Sequence, residues 1–474
     1  MKETRKNLII ISIDNLRADA IGGFGLEKYW QKYNLVDCIN TPNLSSLARG
    51  GIFFHNCWST APYTTNAHAS FLTGAWPHQH GLIDFFSAPL KRPTILEIMK
   101  KQGYATLWQT DFDFLLGDKL GFGRGIDKFV AGQEKESLAW LEAQTSSFAA
   151  FFHFADIHEP YGFGNLSLDF EALAAQIEEL QKKYGLTPLT TSYRGESYPM
   201  NTKVSDQELL LKQNYRQVLK HLYQEKNYPE IMRLYLAGLV RFDHGRFQNF
   251  WQGLKKAGLI ENTLVVIIGD HGEAWNENNF GHNKSQGQGA LSEELLRVPL
   301  IFWSNDVSAK IVEKPVRSID LVPTLLNYFD IEYLPVSGIN LFSEEEISED
   351  LPCFSQYWSV DTALLTIFMN NNLDTEKISQ PEFSSCLQSA CIRQSGFCLE
   401  DIYFKENKKH SILSKQEVPI KNLVNYEAEF LSLSRSLEDY NQKTQAAYDK
   451  IKKRLPLTDR EEIAAQLRAI GYRV

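Results

Sequence analysis

Two uninterrupted apolar segments limit most strongly how this chain can fold. Residues 7–13 read NLIIISI and residues 263–268 read TLVVII, and both are rich in β-branched side chains. An apolar run without polar alternation is typical of a strand that is buried on both faces. Such strands occur in parallel sheets that lie between layers of helices. The sequence therefore predicts an α/β fold.

Polar side chains follow both segments. Asp14 and Asn15 come directly after the first segment, and Asp270 and His271 follow the second after one glycine. Ligands of open parallel sheets bind beyond the carboxyl ends of the strands, so we expect these four side chains to meet there. A single Asp after a strand is usually a turn or capping residue. Two such Asp residues, one of them followed by His, indicate a cation site.

The segment from Trp58 to Gly81, WSTAPYTTNAHASFLTGAWPHQHG, predicts a third part of the same site. We expect a short helix over 67–73 that ends at Gly74 in a left-handed conformation and has Thr64 or Thr65 as its N-cap. Thr64 and His68 are four residues apart and should share a face. The helix start favours an anion such as phosphate or sulfate. The alternative is an ordinary capped helix with a surface histidine.

Two further segments carry candidate groups. A predicted strand over 151–157 ends next to His158, which has a pKa suited to protonating a leaving oxygen. The alternative for His158 is a structural histidine in a loop. The polar loop over 273–289 contains His282 and Lys284, whose positive charges are suited to stabilising a transferred group.

Size and charge narrow the classes of function. A chain of 474 residues with 43% hydrophobic content accommodates one large α/β domain and a smaller one. The net charge of −9 argues against a nucleic-acid partner, which requires a basic surface. No segment approaches the roughly 20 apolar residues of a membrane span. The apolar run at the N-terminus meets Asp14 where a signal-peptide cleavage site would stand, so we predict a cytoplasmic protein.

The pattern along the chain predicts how the domains are arranged. Residues 1–341 form the predicted catalytic domain. Residues 342–474 form a smaller subdomain with short strands predicted over 353–360, 363–369 and 389–399, followed by charged helices. Within the first, residues 162–228 are a predicted helical insertion with helices over 169–183 and 206–226. This insertion either shapes substrate choice or forms the contact of a homo-oligomer. A long helix is predicted over 230–257, with Asp243 and His244 facing solvent.

The order and spacing of these motifs resemble the sulfatase family of the alkaline phosphatase superfamily, over nearly the whole chain. SIDNLRADAIGGFG resembles the first metal motif of that family, HASFLTGAWPHQHG its signature helix, FFHFADIHEPY its substrate-facing histidine block and NTLVVIIGDHGEAWNENNFGH its second metal motif. The resemblance implies an alkaline-phosphatase-like, mainly parallel sheet flanked by helices. It also implies a smaller C-terminal α+β subdomain with an antiparallel sheet.

One position departs from the family pattern. Sulfatases have Cys or Ser in a Cys-x-Pro-x-Arg motif, where the formylglycine nucleophile is made. Here Thr64 stands at the Cys position, Asn66 at the Pro position and His68 at the Arg position. Threonine cannot become formylglycine by that route. In having a threonine at the nucleophile position, the chain resembles the phosphodiesterases and phosphotransferases of the superfamily. We therefore expect its substrates to be phosphate esters more than sulfate esters.

The resulting hypothesis assigns a role to each candidate residue. Oxygen ligands with one imidazole suit a single Mn²⁺, Ca²⁺ or Mg²⁺ ion, with Zn²⁺ as an alternative. Thr64 attacks a phosphate, phosphonate or sulfate ester of a small molecule or glycan and forms a covalent ester. His158 or His282 protonates the leaving group. The predicted metal ligands are Asp14, Asn15, Thr64, Asp270 and His271, and the predicted substrate contacts are His68, Lys284 and Asn66.

Three alternatives remain open at this point. The chain is also compatible with a sulfuric ester hydrolase that needs no formylglycine, and with an inactive sulfatase-like protein that binds glycans. A two-metal phosphodiesterase or phosphomutase requires further Asp and His ligands, which the sequence does not clearly show. The sequence does not separate hydrolysis from transfer to an acceptor alcohol.

Overall fold

Two separate β-sheets organise the chain in the computed structural model. The structure describes residues 5–83, 89–162, 170–192, 205–275, 291–332, 336–343, 345, 347–348, 350–359, 386–404, 408–415, 418–420 and 423–450. The first sheet contains β1 Asn7–Ile13, β2 Ile52–Trp58, β3 Ala105–Thr110, β4 Lys128–Ala131, β5 Phe148–Phe154, β6 Thr263–Gly269, β7 Arg297–Trp303, β8 Lys310–Val312 and β9 Val316–Arg317. The second contains β10 Cys353–Ser359, β11 Cys386–Gln394, β12 Phe397–Phe404, β13 Lys408–Lys415 and β14 Val418–Pro419.

The first sheet is mainly parallel. Its strand order is β4-β3-β5-β1-β6-β7-β2-β8, and β9 pairs with β2. Only β7 runs against its two neighbours, β6 and β2, among the strands described. Strands β1, β5 and β6, which carry the predicted site at their ends, are adjacent and parallel at the centre.

Helices cover both faces of this sheet. They are α1 Lys28–Lys32, α2 Pro42–Gly50, α3 Thr64–Thr73, α4 Pro77–His80, α5 Ile95–Lys101, α6 Glu134–Glu142, α7 Phe170–Lys183, α8 Asp206–Gln224, α9 Tyr228–Phe242, α10 Gln248–Lys256, α11 Glu293–Leu296 and α12 Leu321–Tyr328. A further helix, α13 Glu427–Asp449, packs on the second sheet through Leu433 and Leu437. The two faces of the first sheet build two separate cores. From β1, Leu8 and Ile10 enter the core that contains residues of α3, α5 and α12, whereas Ile9 and Ile11 enter the core with residues of α2, α8, α9 and α10. Burial on both faces explains the uninterrupted apolar runs and confirms the predicted fold class.

The second sheet is antiparallel throughout, in the order β10-β11-β12-β13-β14. The segment over 389–399, predicted as one strand, is a hairpin, because Ser395 and Gly396 adopt positive φ angles of 52° and 78° and form its turn. The predicted strand over 363–369 lies outside the described residues. The proposed limit at 341/342 falls between α12 and β10, and the domain limits remain predictions.

The second sheet contacts the first close to the predicted site. Ser355 on β10 donates a hydrogen bond of 2.6 Å to the carbonyl oxygen of Ser59, and the Ser59 hydroxyl lies 2.6 Å from the carbonyl oxygen of Asp270. Two buried serines thus connect the C-terminal sheet to Asp270, a predicted metal ligand.

The predicted long helix over 230–257 is interrupted. Helices α9 and α10 are joined by a π-helical turn, Asp243–Phe247. The prediction that Asp243 faces solvent is wrong, because its side chain is completely buried against the start of α2. Its carboxylate accepts hydrogen bonds from the amides of Asn43 (3.0 Å) and Leu44 (2.8 Å) at the start of α2. His244 is exposed, as predicted.

No helix among the described residues combines the length and the apolar character needed to cross a bilayer. The cytoplasmic location remains a prediction.

Candidate active site

The predicted site forms where β1 and β6 end side by side. The parallel register pairs Ile13 with Gly269, which brings Asp14 next to Asp270. A Cβ atom on Gly269 would lie 2.5 Å from the carbonyl oxygen of Leu16, so only glycine allows the two chain segments to approach this closely. Both aspartates are completely buried.

Asn15 takes a conformation that few residues tolerate. Its φ of 61° lies in the left-handed region, which asparagine enters more readily than most residues. This turn directs the amide of Asn15 at Asp270 Oδ1 (3.2 Å) and its side-chain amide at Glu273 Oε2 (2.7 Å). The side-chain oxygen of Asn15 is buried and has no hydrogen-bond partner within the described chain. Asn15 thus offers an oxygen to a ligand.

Asp14, Asp270 and His271 form a compact cluster, in which one ligand atom from each lies within 4.8 Å of the others. Nδ1 of His271 lies 2.8 Å from the carbonyl oxygen of Gly272, which can only accept a hydrogen bond. Nδ1 therefore carries the proton of the neutral ring, and the lone pair is on Nε2, 3.4 Å from Asp270 Oδ2. Oδ1 of Asp14 and Oδ2 of Asp270 have no hydrogen-bond partner among the residues described.

The electrostatics of this cluster favour a bound cation. Burial opposes ionisation of Asp14, but the hydrogen bond from His153 and the nearby imidazoles hold its pKa below the ordinary value. Burial and the charge of Asp14 raise the pKa of Asp270. In the described chain, the two buried carboxylates have only imidazoles as ion-pair partners. Their negative charges therefore lack a full positive counter-charge. A divalent cation would supply that charge, and the oxygen and imidazole donors suit one.

Thr64 reaches the cluster from the start of α3. Its hydroxyl donates to Asp14 Oδ2 at 3.2 Å. The prediction that Thr64 or Thr65 caps this helix is wrong: the helix begins at Thr64 itself, Tyr63 is the N-cap residue, and no side chain caps the amides. The Thr64 hydroxyl is directed at Asp14 instead. The predicted helix end is confirmed, with Gly74 left-handed at a φ of 61°.

His68 shares a face of α3 with Thr64, as predicted, but it is completely buried. Its Nδ1 lies 2.7 Å from the carbonyl oxygen of Thr64, and Ser12 Oγ lies 2.8 Å from Nε2. Burial, together with the neighbouring His153, lowers the pKa of His68 well below its ordinary value. Both ring nitrogens of His68 therefore contact protein atoms. This favours a role for His68 in positioning Thr64 over a direct contact with substrate.

Asn66 is also buried and anchored. Its side-chain amide donates to the carbonyl oxygens of Leu82 (3.2 Å) and Ile83 (2.9 Å), while its side-chain oxygen has no partner in the described structure. That oxygen can accept a hydrogen bond but cannot donate one to an anion. The role of Asn66 as a substrate contact remains a prediction.

His153 is a site residue that the sequence analysis missed. It lies on β5, where parallel pairing places it opposite Ser12. Its Nε2 is 3.3 Å from Asp14 Oδ2, the oxygen that also accepts from Thr64. The only signal in the sequence is one histidine within an otherwise apolar strand. The buried Glu273, which holds Asn15, was likewise not identified.

His158 follows β5 and is almost completely buried. Its Nδ1 lies 2.9 Å from the carbonyl oxygen of Glu159, and burial lowers its pKa to about 4. The ring is therefore neutral at pH 7 before a ligand binds. The preceding Asp156 contacts Arg246, which also pairs with Asp111 and Glu134. This ionic cluster fixes the base of the loop. His282 and Lys284 lie outside the described residues.

Comparisons with known proteins agree with this geometry. A family model described as Sulfatase matches residues 6–331. The chain is 25% identical over 371 residues to the uncharacterized sulfatase YidJ of Escherichia coli (strain K12), covering 69% of this chain and 71% of that protein.

Solved structures share the fold. A protein solved in complex with its substrate D-glucosamine-2-N,6-O-disulfate superposes with a TM-score of 0.60 at 18% identity, over 94% of this chain and 100% of that one. A phosphonate monoester hydrolase of Agrobacterium radiobacter gives a TM-score of 0.57 at 15% identity, over 96% and 97%. Together with the family match, the paired Asp motifs at the ends of β1 and β6 identify this chain as a member of the sulfatase family of hydrolases.

Proposed function

We propose that this chain is a metal-dependent hydrolase or transferase that acts on phosphate, phosphonate or sulfate esters through a covalent ester on Thr64. The observation that carries the proposal is the contact of 3.2 Å between the Thr64 hydroxyl and Asp14, beside a cluster of two buried carboxylates and one imidazole. A hydroxyl that borders a cation site at the start of a helix is suited to attack an anionic ester.

The residues divide into three roles. Asp14, Asp270 and His271 would hold the divalent cation, with oxygens of Asn15 and Thr64 beside it. Such a cation neutralises charge on the transferred group and lowers the pKa of a bound hydroxyl. His153 and His68 hold Asp14 and Thr64 in position, through contacts of 3.3 Å and 2.7 Å.

The proposed first step exchanges one ester for another. Thr64 Oγ1 attacks phosphorus or sulfur, the bond to the alcohol oxygen breaks, and Asp14 Oδ2 accepts the hydroxyl proton. The bound anion raises the pKa of His158, so that its Nε2 takes up a proton from solvent when the substrate binds and then supplies this proton to the leaving oxygen. Attack of water on the Thr64 ester completes hydrolysis, and attack of an acceptor alcohol completes transfer. His282 remains the alternative proton donor, and Lys284 a predicted contact of the transferred group.

The choice of phosphate over sulfate rests on Thr64. Formylglycine chemistry requires a Cys or Ser at this position, and Thr64 offers a secondary hydroxyl instead. The fold itself does not separate the two classes, because it is shared with a disulfated-glucosamine-binding protein and with a phosphonate monoester hydrolase. The match to the sulfatase family keeps a sulfate ester as the second candidate substrate.

The test combines a substrate panel with substitutions at Thr64. Metal-stripped protein is supplied with Mn²⁺, Mg²⁺, Ca²⁺ or Zn²⁺ and assayed on aryl phosphate, phosphodiester, phosphonate and sulfate esters. Thr64→Val, which keeps the shape and removes the hydroxyl, should lower kcat about 10³-fold or more. Thr64→Ser should retain measurable turnover. Mass spectrometry of quenched reactions should find the adduct on residue 64.

Thr65→Val is the matched control. Thr65 is the neighbouring buried threonine, and its hydroxyl contacts the carbonyl oxygen of Leu115 at 3.4 Å instead of the cluster. We expect its activity to stay within a few-fold of the wild type. Near-normal turnover by Thr64→Val would refute the nucleophile, and metal binding without turnover of any ester in the panel would favour the glycan-binding alternative.

A further inference from the structure

A tyrosine from helix α9 holds the turn that follows β1. The hydroxyl of Tyr235 donates a hydrogen bond of 2.8 Å to the carbonyl oxygen of Asn15 and accepts one of 3.3 Å from the amide of Arg17. Tyr235 is completely buried. One oxygen atom from a distant part of the chain thus bridges two backbone groups of this turn.

The turn requires such a contact because Asn15 is left-handed. Its φ of 61° lies in a region that costs free energy for residues other than glycine, although asparagine enters it more readily than most. Loss of the Tyr235 hydroxyl would remove a buried hydrogen bond from the carbonyl oxygen of Asn15. The left-handed conformation would then lose part of what stabilises it.

The conformation of Asn15 determines two contacts at the edge of the cation cluster. Its amide donates to Asp270 Oδ1 at 3.2 Å and so helps to fix this carboxylate. Its side-chain amide donates to Glu273 Oε2 at 2.7 Å, which leaves the side-chain oxygen buried and available to a cation. A different φ at Asn15 would break both contacts, because it changes the directions of the amide and the side chain relative to each other.

Packing holds the ring of Tyr235 independently of its hydroxyl. The ring is parallel to Trp30 within 8°, at 6.1 Å between centroids. It also packs against Trp275 at 4.9 Å and Tyr161 at 5.7 Å. Tyr235→Phe therefore keeps the packed ring and removes only the bridging oxygen.

We propose that Tyr235 is a positioning residue of the cation site. Its hydroxyl holds Asn15 in the left-handed conformation that directs the amide at Asp270 and leaves the Asn15 side-chain oxygen available to the cation. This inference rests on the cation site of the proposed function. It assigns Tyr235 a role in the affinity for the cation and none in the bond-making steps.

Calorimetric titration of metal-stripped Tyr235→Phe with Mn²⁺, Mg²⁺, Ca²⁺ or Zn²⁺ tests the proposal, at a temperature at which all variants are folded. For the cation that the wild type binds most tightly, we expect Kd to rise about 10- to 100-fold, as is typical when a partner that orients a metal ligand is lost. The cation concentration that gives half-maximal turnover should rise by the same factor, whereas kcat at saturating cation should stay within a few-fold of the wild type. A residue that only stabilises the fold would leave the Kd of the folded protein unchanged.

Tyr161→Phe is the matched control. Tyr161 is completely buried in the same aromatic cluster, but its hydroxyl accepts a hydrogen bond of 2.8 Å from Trp275 Nε1 and does not contact the turn. Its Kd for the cation should stay within a few-fold of the wild type. An unchanged Kd for Tyr235→Phe, or an equal rise in both variants, would overturn the positioning role and leave the proposed function intact. Absence of cation binding by the wild type would overturn both.

Discussion

Replacing Asp270 with asparagine should stabilise the metal-stripped protein and abolish its response to divalent cations. Asp270 Oδ1 accepts hydrogen bonds from the amides of His271 (2.8 Å) and Asn15 (3.2 Å), and an asparagine oxygen can accept both. The other oxygen, Oδ2, has no hydrogen-bond partner among the described residues. An asparagine nitrogen there can donate to Nε2 of His271, 3.4 Å away. The substitution therefore removes a charge and keeps the hydrogen bonds.

The magnitude follows from the distance between the two carboxylates. Ligand atoms of the Asp14, Asp270 and His271 cluster lie within 4.8 Å of one another. Two unit charges at that separation repel by about 3.5 kcal/mol at an effective dielectric constant of about 20. Protonation of Asp270, whose pKa is raised, relieves part of this repulsion. We therefore expect the free energy of unfolding to rise by about 2 kcal/mol at pH 8.

The assay is denaturant and thermal unfolding at pH 8, with chelator and then with added Mn²⁺, Mg²⁺, Ca²⁺ or Zn²⁺. Wild-type protein should gain about 2.7 kcal/mol at a cation concentration of about 100 times Kd, whereas Asp270→Asn should gain little. If the variant is less stable than the wild type in chelator, or if no cation stabilises the wild type, the cation site is refuted.

Asp320→Asn is the matched control for this experiment. Asp320 is also a fully buried aspartate, but it pairs with Arg317 at 2.7 Å. Removing its charge leaves a buried guanidinium without its partner, so the variant should be destabilised by about 3 kcal/mol, with or without cations. The two aspartates thus give changes of opposite sign.

Two further predictions concern the scaffold around the site. Asp243→Ala should lower the free energy of unfolding by about 3 kcal/mol, because it removes the carboxylate that accepts hydrogen bonds from two amides at the start of α2. Asp243→Asn should lower it by less. Equal stability of Asp243→Ala and the wild type in urea would contradict this prediction. His80, the last residue of α4, is buried against Ser70 of α3. Its folded pKa of about 3 lies below its unfolded value of about 6.5, so the unfolded chain takes up a proton that the folded chain does not. Stability should therefore fall as pH falls below 6.5. Between pH 7 and pH 5, the free energy of unfolding of the wild type, measured by chemical denaturation, should fall by about 2 kcal/mol more than that of His80→Asn. Parallel pH profiles of the two proteins would contradict this prediction.

Much of the fold follows from sequence patterns that act locally. The uninterrupted apolar runs of β1 and β6 require burial on both faces, which a parallel sheet between helices provides. The end of α3 follows from Gly74, because a left-handed residue is least costly as glycine. Asp14 and Asp270 were identified because strand ends in such sheets converge on one edge.

The tertiary structure alone decided which partners these side chains have. His153 lies beside Asp14 only because β5 pairs with β1 in a register that places it opposite Ser12, and strand pairing is not encoded in either strand alone. The Thr64 hydroxyl donates to Asp14, and it does not cap the helix because Thr64 is itself the first helical residue, one position after the N-cap Tyr63. Asp243 turns inward at a π-turn that no local pattern indicates. Local sequence thus determines which elements form and where they end, whereas the contacts between distant elements determine the chemistry of the site.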